Sequence, residues 1–443
     1  MAGLEERFAN LGMQIPEVML PASGIDMTRW AVVACDQYSS EPEYWEEVKA
    51  FVGSHPSTYN LIYPECYLEE IDKQERITRI QKAMQEYLGE GIIQNAGKGF
   101  ILVERYTLFE KHPRKGLIFA VDLEAYQFGK NITSKVRPTE GTILERLPPR
   151  MEIRRGAPLE LPHIMLLIDD PERTVIEPLY AQMSSYKTLY DFDLMKKAGH
   201  IKGAHITDTV VLESVASAIE NLEKTFQKKY GDKAPLLFAV GDGNHSLATA
   251  KQIWEEIKKA HAGDPDLMNH PARYALVELV NIYDEGLPFH PIHRVLFKAS
   301  KEVIEQALRD AGASLEAMSE AEAIKKTNEA DTAEHRFVLI HETSSSLVRF
   351  SKPNAVLTTS TIQAVLDAYL KAHPESGIDY IHGTESLEEL AKKSGNIGFY
   401  LPPVRKDTFF NYIIEHGVMP RKTFSMGEAP EKRFYIEARK ITR

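Results

Sequence analysis

Apolar positions along the chain fall into short strand-sized runs separated by longer amphipathic stretches. Runs at 30–34, 100–108, 117–128, 163–168, 236–240, 273–281, 337–340, 346–350 and 396–400 predict strands, and 290–297 begins near a strand end. Helical spacing marks 69–88, 177–188, 210–229, 302–311, 360–371 and 385–393, and a further helix after Ser39 or Ser40, either of which suits a cap. The turn-like stretch 111–116 joins two runs into an expected hairpin. Residues 131–162 are rich in Arg, Pro and Gly with little periodicity and read as a long loop. Residues 312–334 are Ala- and Glu-rich and place a soft boundary. The expectation is an α+β (mixed α/β) fold rather than a regular doubly wound sheet, in three segments: 1–130, a core at 131–311, and 335–443.

One stretch concentrates chemistry. The run 236–240 is followed by Gly241-Asp242-Gly243 and then by Leu247, Ala250, Ile253, Trp254 and Ile257 on one helical face. A strand therefore hands over to a helix start, where free amides and the helix dipole favour an anion. Asp242, Asn244, His245 and Ser246 add a candidate metal ligand, hydrogen-bonding groups and a proton carrier. The plainer alternative is that Asn244 or Ser246 caps the helix and the glycines permit the turn. Upstream, Arg137, Thr139, Glu140, Glu145, Arg146 and Arg150 put both charge signs in one loop. They suit a solvated loop with ion pairs, or arginines gripping phosphate beside a carboxylate that takes a proton. Downstream, His293 and Arg294 flank an apolar run and suit either a strand end or a phosphate contact.

Composition narrows the field. Net charge is −11, which argues against nonspecific binding to nucleic acid or an anionic membrane. Only Cys35 and Cys66 occur, so no disulfide framework is expected, and the count suits a reducing cytoplasm. The first residues lack a basic region followed by a long apolar run, and no stretch is long enough to span a bilayer; a soluble cytoplasmic protein is expected. No GxxxxGK[ST], HExxH, paired CxxC or GxSxG is present, and 241–246 meets only the first two glycines of GxGxxG. His290 and His293 lack a third metal ligand in the pattern and are separated by Pro291.

Asp242-Gly243-Asn244-His245-Ser246 resembles the Asp-Gly-His-His-Arg signature of the domain-of-unknown-function family ten-fifteen. Three further segments agree in order: Val136-Arg137-Pro138-Thr139-Glu140, Pro291-Ile292-His293-Arg294, and Gly417-Val418-Met419-Pro420-Arg421-Lys422-Thr423. The family in turn is similar to the ParB, sulfiredoxin and free serine kinase superfamily around the same turn. Asn244 and Ser246 depart from the signature, and the second departure removes a guanidinium from the turn.

The resemblance implies a nucleotide-dependent kinase of a small hydroxyl amino acid, using ATP or ADP with Mg2+. It implies Glu140 as base, Asp242 as the magnesium or phosphate-water organiser, and His245 near the transferred group. Arg137, Thr139, Arg146, Arg150, Gly241, Gly243, Asn244, Ser246, His293 and Arg294 would hold the nucleotide, with Arg294 replacing the missing arginine. Two alternatives remain: a nucleotide-binding switch or NTPase of the ParB-like branch, and a non-catalytic small-molecule sensor.

Overall fold

The computed structural model describes residues 2–69, 72–130, 132–329 and 333–443. Asn131, residues 70 and 71 of the expected helix, and residues 330–332 of the expected boundary lie outside the described residues. The fold is α+β, and the chain forms two units, Met1–Leu287 with Glu428–Arg443, and Pro288–Gly427.

Nine strands of the first unit share one sheet: β1 (Met13–Gln14), β2 (Phe100–Tyr106), β3 (Arg114–Asp122), β4 (Val136–Pro138), β5 (Met165–Ile168), β6 (Lys187–Asp193), β7 (His200–Ile206), β8 (Phe238–Asp242) and β9 (Tyr274–Asn281). Their order is β6-β7-β2-β3-β9-β5-β8-β4, with β1 on β3. The expected hairpin is β2–β3, antiparallel with Arg105 opposite Arg114. Alternate side chains of β2 enter different cores. Phe100 and Leu102 pack on one face, Ile101 and Val103 on the other. Helices α2 (Thr209–Tyr230) and α3 (Asn244–Ala260) cover the first face through residues such as Ile219 and Trp254. A strand buried on both faces reads as a continuous apolar run, as this sequence does.

The expected loop at 131–162 carries more order than its pattern suggests. It contains β4, helix α1 (Leu147–Arg154) and a short strand, Leu159–Glu160. Pro148 and Pro149 obscure helical spacing but suit the first turn of α1, where an amide is not needed. The expected helix at 177–188 stops after Glu177–Tyr180, and β6 begins at Lys187. The helix Pro42–Val52 begins after Glu41 rather than at Ser39 or Ser40, with Pro42 fixing its first turn.

The second unit has an all-antiparallel sheet of β10 (His290–Phe297), β11 (Ser314–Ala317), β12 (His335–His341), β13 (Ser344–Phe350), β14 (Gly377–His382), β15 (Asn396–Tyr400) and β16 (Phe424–Ser425). Leu296 and Val295 of β10 point into separate cores on opposite faces. The stretch 312–334, expected to be weakly structured, holds β11 and the helix Glu320–Asn328. The two units do not coincide with the three expected segments, because β2, β3 and β8 share one sheet and residues 428–443 belong to the first unit.

That returning segment is tied in by both backbone and charge. Phe434–Tyr435 pairs with Val32–Val33, and Arg439–Lys440 with Leu159–Glu160. Trp30, fully buried, donates its indole N–H to Ile436 O at 3.0 Å. Arg433 is buried between Glu278, at 3.0 Å, and Glu437, which also accepts from Tyr190. Burial opposes the Arg433 charge, but Glu437 and Glu278 outweigh it and raise its pKa. Removing one partner of a buried ion pair strands the other in a poor solvent for charge. Replacement of Arg433 by Met is therefore expected to cost about 3–5 kcal/mol of stability. Urea unfolding checks this, and a loss under about 1 kcal/mol, the range of exposed pairs, would contradict it.

Candidate functional site

Strand β8 does not run straight into α3. Its pairing with β5 slips between Val240 and Asp242, a bulge that re-aims Asp242 at the strand end. Gly243 then takes the left-handed conformation, with φ of 76°. A Cβ there would also lie 3.0 Å from Ile164 Cα, so glycine is required by both conformation and space. Among the described residues no side chain caps α3, and the first helical hydrogen bond runs from Leu247 N to Gly243 O at 3.0 Å. The amides ahead of it face out of the helix end, at the positive pole of its dipole.

Asp242 accepts a hydrogen bond from Gly243 N at 2.8 Å and pairs with Lys432 Nζ at 3.0 Å. Burial would raise its pKa, but Lys432, the Gly243 amide and His163 together hold it below the ordinary carboxylate value. Lys432 is also desolvated, yet Asp242 and Asp36 keep its pKa raised. Asn244 donates to Val240 O at 3.4 Å and to Thr139 Oγ1 at 3.5 Å. Its Oδ1 is buried and, among the described residues, has no hydrogen-bond partner.

The upstream segment lies against this turn. Strand β4 runs parallel to β8 with Pro138 opposite Val240, and Thr139 donates to Val240 O at 2.6 Å. Glu140 follows directly. Ile143 N donates to His245 Nε2 at 3.2 Å, which leaves the imidazole proton on Nδ1. Thr139, Asp242, Asn244 and His245 thus converge with the chain around Glu140. Other expected ligand residues have partners of their own. Arg137 is buried and donates to Ser134 O at 2.8 Å and Ala234 O at 2.7 Å, so it secures the backbone beside β4. Burial lowers its pKa. Arg146 is exposed, and its carbonyl accepts from Arg150 at 2.7 Å. His293 and Arg294 belong to the second unit, with partners there. His293 accepts from Leu401 N at 3.1 Å, and burial, Arg294 and His382 lower its pKa to about 4. Arg294 donates to Gln363 at 3.2 Å and lies over the Tyr380 ring; burial lowers its pKa to about 10.

Ser246 turns to a different neighbourhood. Its Oγ lies 2.7 Å from His163 Nε2, and His163 Nδ1 lies 2.9 Å from the Tyr435 hydroxyl. Tyr435 in turn lies 3.1 Å from Cys35 Sγ and accepts from Cys35 N at 3.1 Å. All four residues line a cavity of about 150 Å³, mostly apolar, that also contains the paired Arg150 and Glu65. Lys432, His163 and Tyr435 did not stand out in the sequence. Lys432 is 190 residues from Asp242, and His163 is 83 from Ser246 and 272 from Tyr435, distances over which spacing carries no signal.

Among the described residues, no three His, Cys, Asp or Glu side chains gather to hold a metal ion, and no helix is long and apolar enough to cross a membrane.

The lowered pKa of Asp242 ties stability to acidity. Its charge is favoured in the fold, so its contribution is complete above the unfolded value of 3.8 and fades as pH falls through the lower folded value. The stability difference between the wild type and Asp242→Asn should therefore shrink across that acid range. Chemical denaturation at stepped pH measures it, and a difference that grows on acidification would contradict the assignment.

The sequence model of the family described as "Protein of unknown function (DUF1015)" matches residues 19–369, and the chain belongs to that family. No curated protein matches. Among solved structures, a free serine kinase in complex with AMP is 12% identical with a TM-score of 0.36, covering 73% of this chain and 91% of that one. A point mutant of a free serine kinase in complex with ADP is 12% identical with a TM-score of 0.37, over 73% and 92%. A conserved hypothetical protein from Pyrococcus furiosus is 14% identical with a TM-score of 0.36, over 73% and 95%. At TM-scores this low the likeness carries no argument about function.

Proposed function

We propose that this member of the DUF1015 family is a phosphotransferase that moves a phosphoryl group from ATP or ADP to the hydroxyl of a small molecule, in the manner of a free serine kinase. The observation that carries the reading is the helix end at Asn244, which no side chain among the described residues caps and which has Lys432 beside it. Outward-facing amides and an ammonium supply what a phosphate chain needs. Asp242 and the unpartnered Asn244 Oδ1 fit a Mg2+ that arrives with the nucleotide, since such ions take one or two protein ligands and complete their shell with phosphate and water. The ion, when bound, would neutralise phosphate charge.

The remaining roles belong to the chain's own groups. Glu140, next to Thr139 at the end of β4, accepts the proton of the acceptor hydroxyl. His245, with its Nδ1 proton set by the Ile143 amide on Nε2, is the donor near the transferred group. Arg150 and Ser246 line the cavity beside α3, a place for the acceptor more than for the phosphates. We place the protein in the cytoplasm, where nucleotides and two free cysteines are both at home.

A second reading, binding without turnover, is favoured by one observation: Lys432 already occupies an oxygen of Asp242. Turnover of ATP and ADP with and without free amino acids separates the readings. Amino-acid-dependent product supports the kinase, and binding without product supports the sensor.

For the kinase, Glu140→Gln should lower turnover about 10²- to 10⁴-fold with nucleotide affinity nearly unchanged, because the base acts on the acceptor. Asp242→Asn should weaken both, because a metal ligand also holds the phosphates. Calorimetry and product detection measure the two effects. Turnover in Glu140→Gln equal to wild type would remove Glu140 from the mechanism.

A further inference from the structure

We propose that Ser246 is a nucleophile and His163 its general base, in a site for hydrolysis of short-chain carboxylic esters or thioesters within the cavity beside α3. The site shares the cavity and the start of α3 with the phosphotransfer reading, and its test is read without nucleotide.

The geometry contains the three groups such a site needs. Ser246 Oγ lies 2.7 Å from His163 Nε2. The opposite ring nitrogen is oriented by a third group, the Tyr435 hydroxyl, at 2.9 Å. A nucleophile, a base within hydrogen-bond reach and an orienting partner form the recurring pattern of serine catalysis, whatever the chain order. Tyr435 is itself held. It is buried, its ring edge meets the imidazole, and Cys35 N donates to its oxygen.

One arrangement of the hydrogens along this chain makes His163 a base. With the proton of His163 on Nδ1, the Tyr435 oxygen accepts from His163 and from Cys35 N, and the Tyr435 hydroxyl donates to Cys35 Sγ at 3.1 Å. That leaves Nε2 as an acceptor facing Ser246, the arrangement a base requires. Burial raises the pKa of both Cys35 and Tyr435, so the relay stays neutral at its far end.

The surroundings specify the substrate. Half of the cavity wall is aliphatic, including Leu61, Met84, Ile153 and Leu159, and the ion pairs Arg150–Glu65 and Arg154–Glu160 line the rest beside the serine and its partners. Its volume of about 150 Å³ admits a group about the size of benzene, hence a short acyl chain. Ser246 stands in the first turn of α3, beside outward-facing amides that can receive the charge developing on an acyl oxygen.

The reaction balances with water as the only co-reactant. Ser246 Oγ bonds to the acyl carbon while its proton passes to His163 Nε2. The carbon–oxygen or carbon–sulfur bond breaks, and the leaving alcohol or thiol takes that proton. Water then adds to the acyl-serine, giving its proton to His163, which returns it to Ser246 as the carboxylic acid departs.

An alkyl fluorophosphonate tests the assignment without nucleotide, because attack by an activated serine expels fluoride and leaves a stable adduct. The wild-type chain should gain one adduct, mapped to Ser246 by peptide mass spectrometry, and should hydrolyse p-nitrophenyl butyrate. Ser246→Ala should lose both. His163→Asn should slow labelling about 10²-fold or more, the usual worth of a general base. Tyr435→Phe, which removes only the orienting oxygen, should slow it less. The proposal is overturned if the wild type gains no adduct under conditions that label an authentic serine esterase. It is equally overturned if Ser246→Ala is labelled as fast as the wild type. Both outcomes are readable even where His163→Asn fails to fold.

Discussion

Pairing of buried charge governs the first unit. Within the short stretch 432–439, Lys432 meets Asp242, Arg433 meets Glu278 and Glu437, and Arg439 meets Glu160. Asp242, Glu278 and Glu160 come from different parts of the chain, and burying a carboxylate without a partner is costly. Glu278 lies on β9 in the middle of the sheet, next to Gly116, where any Cβ would collide with its carboxylate. The sheet leaves room at that point for the ion pair. The returning segment is thus placed by electrostatics as well as by its two short strand pairings, and Tyr435, between Arg433 and Glu437, is placed with it.

The turn at the end of β8 depends on that placement. A bulge at Gly241 and a left-handed Gly243 bring Asp242 and the start of α3 to one spot, and Lys432 meets Asp242 there. Without the ammonium, burial would push the Asp242 carboxyl towards its neutral form. A glycine at the cap forgoes only about a few tenths of a kcal/mol relative to a capping side chain. A sequence that has Asn and Ser available at 244 and 246, yet sets glycine at the cap, keeps the helix end open.

Much of the fold was legible because its signals are local. The strand–turn–helix around 236–257, the hairpin β2–β3 and the strand at 396–400 all follow from runs of buried residues and turn chemistry. Strands β6 and β7 were not legible. Their short alternation mixes charged residues such as Lys187, Asp191 and Lys202 with apolar ones, β6 being the edge strand and β7 its inner neighbour. Helix α1 was hidden by two prolines. For the site, the sequence pointed to Thr139, Asp242, Asn244 and His245, which do converge. It carried no hint of Lys432, His163 or Tyr435, because contacts made across such separations leave no periodicity. Arg137 shows the opposite limit: an arginine beside a candidate site is as well suited to buried carbonyls as to phosphate.

The ion pairs of the returning segment differ in one respect that bears on function. Arg433 and Glu278 are 3% and 1% exposed, whereas Lys432 and Asp242 are 16% and 28% exposed. A fully enclosed pair cannot exchange partners without leaving a bare charge in a medium of low dielectric. A partly open pair can, because water or a ligand replaces the lost contact as it breaks. In the phosphotransfer reading proposed above, Lys432 turns from Asp242 to an incoming anion while the carboxylate takes a cation or a hydroxyl in its place. The same turn presents Ser246 to the cavity beside α3, where its partner is an imidazole rather than an ammonium. Two faces of one helix start are thus supplied with different chemistry: exchangeable charge on the side of Asp242, and a directional hydrogen-bond relay on the side of Ser246.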